Sequence, residues 1–466
     1  RSLALGGPEA VKRQRARGRL TVRERVARLV EPGSFMELGM LARSQDPALD
    51  ATTAADGLVT GFGKVNGLDT AILAEDATVL DNTDAQVAAL KRARLLSLTA
   101  RTGWPLVFLA DRGEGRTVTV KEATLIGGAA RQEPEPEVGT WPSLTVVAVM
   151  GNCFGPAATL ATAADFLVLV KGASLRLAGS GGQGDPGFHV EATGLADRVA
   201  RDDPEALAIL REFMSYLPAN TALKPPRRDA DDSAERPLAD IAALVPEDLE
   251  KPYDVAPVIQ ALVDQGSFFP LKPDFGTGLV AGLARLNGHA IGVAASQPLH
   301  GGALDGAAIH KALRLARLCR RFRLPLLFIQ DTPGYAEGSA ADQRDLLAAT
   351  GELVRTIKEL PAPKLVLVLR RGHVLGDFVL GGRKLGIDYI AAWPLAELAT
   401  TEPVSFGAAA VPPPAQRRGP WTAAGLAMIE DVLEPPETRR RLVQVLEIAL
   451  LAREVPAVPP EREAEL

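Results

Sequence analysis

The sequence predicts an α/β fold in which one unit is built twice, and three observations carry that expectation. The stretch Leu144–Asp165, LTVVAVMGNCFGPAATLATAAD, reads as a buried strand, a turn with two glycines and a helix of small residues. The surrounding unit then recurs: GLVTGFGKVNG at Gly57 returns as GLVAGLARLNG at Gly278, shifted by 221. Finally, 466 residues with 47% hydrophobic content suffice for two ordinary cores.

The duplication runs through most of both halves. LVEPGSFMEL from Leu29 returns as LVDQGSFFPL from Leu262, and WPLVFLADRG from Trp104 as LPLLFIQDTPG from Leu324. LTVVAVMG from Leu144 returns as LVLVLRRG from Leu365, again read as a shift of 221, and ADFLVLV from Ala164 as IDYIAAW from Ile387. Domains are therefore expected over residues 1–223 and 224–466, joined by KPPRRDADDSAERP (Lys224–Pro237), which has the composition of a linker.

Taken in order, the chain opens with the basic run VKRQRARGR at Val11–Arg19, either a solvated helix face or a site for a polyanion. Thr21 to Glu24 fits a capping box and launches a helix that stops before Pro32–Gly33. Strands follow from Leu58 to Leu73, then a helix over about Asp84–Arg101 and the buried strand Leu106–Leu109. That strand ends at the glycine-rich turn DRGEGR (Asp111–Arg116), the place where open α/β units bind ligands. After the central stretch come a glycine-dense loop at Gly179–Gly187, expected to be mobile, and a helix over about Pro204–Tyr216. In the second half, Ala307–Phe322 places Ile309, Leu313 and Ala316 on one helical face. VPPPAQRRGP (Val411–Pro420) reads as a surface loop, and a last helix spans about Pro436–Arg453 before a Pro- and Glu-rich tail.

Composition narrows the function classes. No apolar run reaches the roughly 18 residues that a membrane span needs, and no signal leader opens the chain, so a cytoplasmic protein is expected. Two cysteines, Cys153 and Cys319, are too few for a disulfide framework or a zinc ribbon, and no metal is expected. A net charge of −5 argues against nucleic acid as the main partner.

The central turn carries the chemistry. Gly151 and Gly155 let the backbone turn tightly and approach a ligand, while Pro156 suits the first helical position, where its missing N–H leaves no bond unmade. Free backbone N–H groups at such a turn suit an anion or a developing oxyanion.

With these residues in hand, the chain resembles the carboxyltransferase β subunit of biotin-dependent acyl-CoA carboxylases, of the propionyl- and acetyl-CoA carboxylase type. The resemblance rests on GRLTVRERVARLVEPGSFMEL, DGLVTGFGKVNG, MGNCFGPAATLATAADF, KPYDVAPVIQALVD, Gln297–Pro298, DTPGY at Asp331 and IDYIAAWPLAELA at Ile387. It implies two tandem crotonase-like domains, each a ββα spiral, with the acyl-CoA thioester bound by the first and biotin by the second. It also implies a homo- or hetero-oligomer, from dimer to hexamer, with sites shared between subunits. In that family a carboxyl group moves between biotin and the acyl α-carbon, each anion being held in a hole of backbone N–H groups. This chain shows no biotinyl attachment motif and no nucleotide-binding loop, so biotin would arrive on a separate carrier, with a biotin carboxylase or a β-subunit paralogue as partner.

The resemblance implies the candidate site residues. For the first hole these are Gly155 and Ala157, with Pro156 where the family has glycine; Asp111, Gly113 and Arg116 belong to the substrate-binding turn. A proline nitrogen donates nothing, so one donor of the first hole is expected to be absent. For the second hole they are Leu375 and Gly376, with Val374 and Leu375 filling space that glycines leave open for the biotin ring. His373, with Asp377 four residues on, is read either as an acid–base pair or as a packing residue. Cys153 matches a family cysteine and reads as packing. Three functions stay open: a carboxyltransferase, an acyl-thioester enzyme working without biotin (decarboxylation or acyl transfer), and a non-catalytic paralogue subunit.

Overall fold

The computed structural model describes residues 3–44, 49, 52–80, 86–112, 142–177, 184–229, 232–336, 338, 340–372, 382–399 and 417–454. The chain divides into two compact units, Arg1–Pro226 with Lys272–Phe275, and Arg227–Leu271 with Gly276–Leu466.

The first unit is a seven-stranded sheet in the order β1-β2-β3-β4-β5-β7-β9. Its strands are β1 (Met36–Leu38), β2 (Leu58–Val65), β3 (Leu68–Glu75), β4 (Leu106–Ala110), β5 (Thr145–Val149), β7 (Phe166–Val170) and β9 (Arg198–Ala200). The first three pair antiparallel and the rest parallel. Strands β4, β5 and β7 are buried at every position, which is why they read as unbroken apolar runs rather than alternating ones. Two short strands, β6 (Asn152–Phe154) and β8 (Ser174–Arg176), form a separate parallel pair beside the central turn. The capping box at Thr21 is complete: Glu24 N–H donates to Thr21 Oγ1 and Thr21 N–H to Glu24 Oε2.

The second unit repeats the order with β10 (Phe269–Leu271), β11 (Leu279–Leu286), β12 (His289–Ser296), β13 (Leu326–Thr332), β14 (Lys364–Gly372), β15 (Tyr389–Ala392) and the edge strand Asp431–Val432. Backbone pairing tests the repeat residue by residue. Leu58 faces Glu75 and Leu279 faces Ser296, both shifted by 221 as expected. Ala71 faces Leu106 and Gly292 faces Leu326.

The third parallel strand corrects the reading. Leu106 faces Thr145 whereas Leu326 faces Lys364, so the shift there is 219, and Val146, not Leu144, matches Leu365. Side chains agree: Asp165 Oδ2 accepts the Thr145 N–H at 2.9 Å, and Asp388 Oδ2 accepts the Lys364 N–H at 2.8 Å. A slip of two residues keeps the same side chains on the same face, so apolar pattern alone does not detect it.

The expected linker is also corrected where it is described. Arg228 N–H donates to Gly288 O, and Arg236 Nη2 donates to Ala261 O and Val263 O, so this polar stretch lies along the second unit. The expected loop Val411–Pro420 and residues 179–183 of the glycine-dense loop fall outside the described residues, apart from Arg417–Pro420.

Candidate active site in the first unit

The central turn forms as its residues require. After β5 and β6 the chain reaches Gly155 at φ 58°, ψ −130°, a backbone conformation that side chains disfavour, and Pro156 opens the helix Pro156–Thr162. The first N–H groups of a helix have no partner within it, so Ala157, 5% exposed, presents such a donor. Pro156 presents none. Gly155 was expected to supply a second, but its N–H donates to Leu177 O at 3.1 Å. Of the residues named for the first hole, Ala157 is the donor left.

Gly151 has a different reason from the one expected. A Cβ added there would lie 1.8 Å from Asp111 Oδ1, so this glycine makes room for a carboxylate of the chain itself rather than for a ligand. Asp111, expected to bind substrate, is 1% exposed. Its Oδ2 accepts from Arg25 Nη1 at 2.7 Å and Gln14 Nε2 at 2.9 Å, and Arg19 Nη1 stands 3.5 Å from Oδ1. Arg25 Nε donates to Asp203 Oδ2 at 2.7 Å. Asp111 thus anchors the N-terminal helices to the end of β4. The basic run divides accordingly: Gln14 points inward while Lys12, Arg13, Arg15 and Arg17 are exposed.

One charged group that the sequence reading passed over faces this turn. Glu75 ends β3, is 3% exposed, and accepts from Arg112 Nη2 at 2.8 Å and from Asp111 N–H at 3.2 Å. Burial pushes its carboxyl above the usual carboxylate range, against the pull of Arg112 and Arg92. A cavity of about 50 Å³ lies here, lined by Glu75, Arg92, Phe108, Pro156, Ala157 and Leu160 together with three leucines. Cys153, fully buried, has its thiol pKa pushed up by burial and by Glu75, which makes it a packing residue and a poor nucleophile.

In the second unit the counterpart of Asp111 is Asp331, at the same place in its sheet. Its carboxylate takes Arg370 Nε at 2.6 Å and Arg371 Nε at 2.9 Å, and the Arg370 guanidinium lies 4.7 Å over the Tyr253 ring. A cavity of about 340 Å³ opens nearby, lined by Asp305, Gly306, Ala336, Gln343, Asp345 and Leu346 among others. Gly113, Arg116, His373, Val374, Leu375, Gly376 and Asp377 lie outside the described residues. Among the described residues no group of His, Cys, Asp and Glu is placed to hold a metal ion, and no helix is long and apolar enough to cross a membrane.

A sheet order repeated in two tandem crotonase-like domains is the architecture of an acyl-CoA carboxyltransferase. Comparison with known proteins agrees. The carboxyl transferase domain model matches residues 13–411, and the chain belongs to that family of transferases. It is 32% identical to a putative propionyl-CoA carboxylase beta chain of Bacillus subtilis, over 94% of this chain and 92% of that one. It is 28% identical to the methylmalonyl-CoA carboxyltransferase 12S subunit of Propionibacterium freudenreichii, over 96% and 92%. The solved transcarboxylase 12S, a hexamer described with methylmalonyl-coenzyme A bound, superposes with a TM-score of 0.85 at 26% identity, covering 100% of this chain and 96% of that one.

Proposed function

We propose that this chain transfers a carboxyl group to the α-carbon of a short acyl-CoA, through a thioester enolate held in the first unit. The observation that carries this reading is the turn at Gly155, where a strand, a left-handed glycine and a helix start leave the Ala157 N–H for an oxyanion. Carboxybiotin on a carrier from another chain supplies the carboxyl group. In the second unit, the carboxylate of Asp305 and the amide of Gln343 line a cavity roomy enough for a cyclic urea and offer it an acceptor and a donor. Asp111 and Asp331 hold the strand ends on which both sites depend.

The second reading, thioester chemistry without biotin, is favoured by the poverty of the first hole. Gly155 spends its N–H on Leu177 and Pro156 has none. Purified protein mixed with biotin carboxylase, carrier, ATP, labelled bicarbonate and short acyl-CoAs separates the readings. Labelled carboxyacyl-CoA supports carboxyl transfer. Loss of the carboxyl group from malonyl-CoA without biotin supports the second reading. No turnover together with tight binding to an intact β subunit supports a non-catalytic role.

A further inference from the structure

The duplication supplies an internal control for every residue of the first site. Glu75 and Ser296 are equivalent, because Leu58 faces one and Leu279 the other in matching strand pairs. Both do the same structural work: Glu75 Oε2 accepts the Asp111 N–H at 3.2 Å, and Ser296 Oγ accepts the Asp331 N–H at 2.6 Å. A serine therefore suffices to close this strand end, and closes it at shorter range. The two charges beside Glu75 are equally absent from the other half. Arg112 corresponds to Thr332, one residue past the paired acids. Arg92 corresponds to Ala312, since Lys91 and Lys311 both donate to the equivalent carbonyls of Leu58 and Leu279. A buried ion cluster is weak evidence for stability, so its presence in one half only asks for a chemical reason.

The cavity supplies one. Glu75 lines the same small space as Pro156 and Ala157 at the start of the helix Pro156–Thr162, and most of the remaining wall is leucine and phenylalanine. Its volume of about 50 Å³ exceeds the 10–15 Å³ that one water needs, and suits a short acyl end. The charged and titratable groups around the carboxyl are Arg112 from the end of β4, Arg92 from the helix Gln86–Thr102 and the Cys153 thiol of β6.

We propose that Glu75 takes the α-proton of the bound acyl-CoA and gives it back, so that this chain forms the enolate with its own side chain and without the biotin carrier. The proposal rests on the reading that the first unit binds an acyl-CoA. In the forward step the α-carbon's C–H bond breaks and its proton moves to a Glu75 carboxylate oxygen. The electron pair passes into the enolate, whose negative charge sits on the thioester oxygen near the Ala157 N–H. The glutamic acid then exchanges its proton with water, and return of that proton to carbon restores the acyl-CoA. Burial favours the protonated form of this carboxyl, which strengthens it as an acceptor of the α-proton.

The test is α-hydrogen exchange of propionyl-CoA in heavy water, followed by proton NMR, with the purified chain and neither biotin nor ATP. Deuterium should enter the α-position with the native protein and enter at least about 100-fold more slowly with Glu75→Gln. Glu75→Ser, which copies the arrangement of the second half, should fold to the same circular dichroism spectrum and show the same loss. Absence of exchange by the native protein overturns the proposal, and so does exchange by either variant at the native rate. The two readings fail separately. Carboxyl transfer without exchange removes Glu75 and leaves the carboxyltransferase, whereas exchange without transfer removes the carboxyltransferase and leaves Glu75.

Discussion

Asp111 and Asp331 occupy one position in two copies of the same sheet, yet they are neutralised by arginines from different places in the chain. Asp111 takes Arg25, 86 residues upstream, while Asp331 takes Arg370 and Arg371 from the neighbouring strand. The duplication preserved the acid and replaced its counter-ion, so the acid is what the strand end requires.

Removing that acid strands buried cations. Arg25 is 1% exposed and would lose one of its two carboxylates in Asp111→Ala, and Arg370 is fully buried against Asp331. Breaking a buried pair costs about 3–5 kcal/mol. Each single substitution should lower unfolding free energy by that amount in urea titrations. A loss under about 1 kcal/mol would show that water reaches these arginines.

Lys91 gives a pH dependence of the same sign as acid denaturation but at the alkaline end of the range. It donates to Ala55 O and Leu58 O, and burial, opposed by Glu37 and Asp56 and aided by Arg23, lowers its pKa from 10.5 to about 8. Between those two values the unfolded chain binds a proton that the folded chain does not, so stability rises with pH across the window, by at most about 3 kcal/mol. Below pH 8 both states are protonated and the dependence disappears. Lys91→Met should flatten the rise seen in denaturant titrations from pH 8 to 10.5.

The sheets and their order were legible because parallel strands buried on both faces leave continuous apolar runs, and because each run occurs twice. The details that decide the site were not. The carboxylate that Gly151 accommodates belongs to Asp111, 40 residues earlier, and its partner Arg25 lies farther still. Local sequence carries no trace of such long-range neighbours, so a close approach to a ligand and a close approach to the chain's own acid looked alike. Glu75 did leave a signal, a charge at the end of an apolar strand where the aligned repeat has Ser296. The second-hole residues fall outside the described residues.

If carboxyl transfer uses the turn at Gly155, its rate should respond to the missing donor. Pro156→Gly adds an N–H at the first position of the helix, beside that of Ala157. One oxyanion donor is worth up to about 10²–10³ in kcat. The variant should therefore raise kcat for transfer with little change in KM, because the donor acts on charge that develops only in the transition state. An unchanged kcat would place the oxyanion elsewhere.

The related transcarboxylase 12S is a hexamer, and we expect this chain to assemble at least to a dimer and up to six copies. Light scattering at micromolar concentration should give a multiple of the chain mass. A monomer would argue against a site shared between subunits.

Gly151 and Asp111 should be coupled, and a double-mutant cycle measures it. In Gly151→Ala the new Cβ would sit 1.8 Å from Asp111 Oδ1 and 2.9 Å from Arg19 Nη1, so the carboxylate must move away from Arg25. The substitution should cost more than the 1–3 kcal/mol typical of overpacking, about as much as losing the pair itself. In an Asp111→Ala background the clashing oxygen is gone and the same methyl group finds the space that the carboxylate left. The second substitution should then cost under about 1 kcal/mol, giving an interaction energy of at least roughly 2–4 kcal/mol between the sites. Additive losses would mean that Gly151 is required by the backbone turn and not by the acid. Its φ is not in the left-handed region, unlike that of Gly155, so the turn alone does not demand a glycine there.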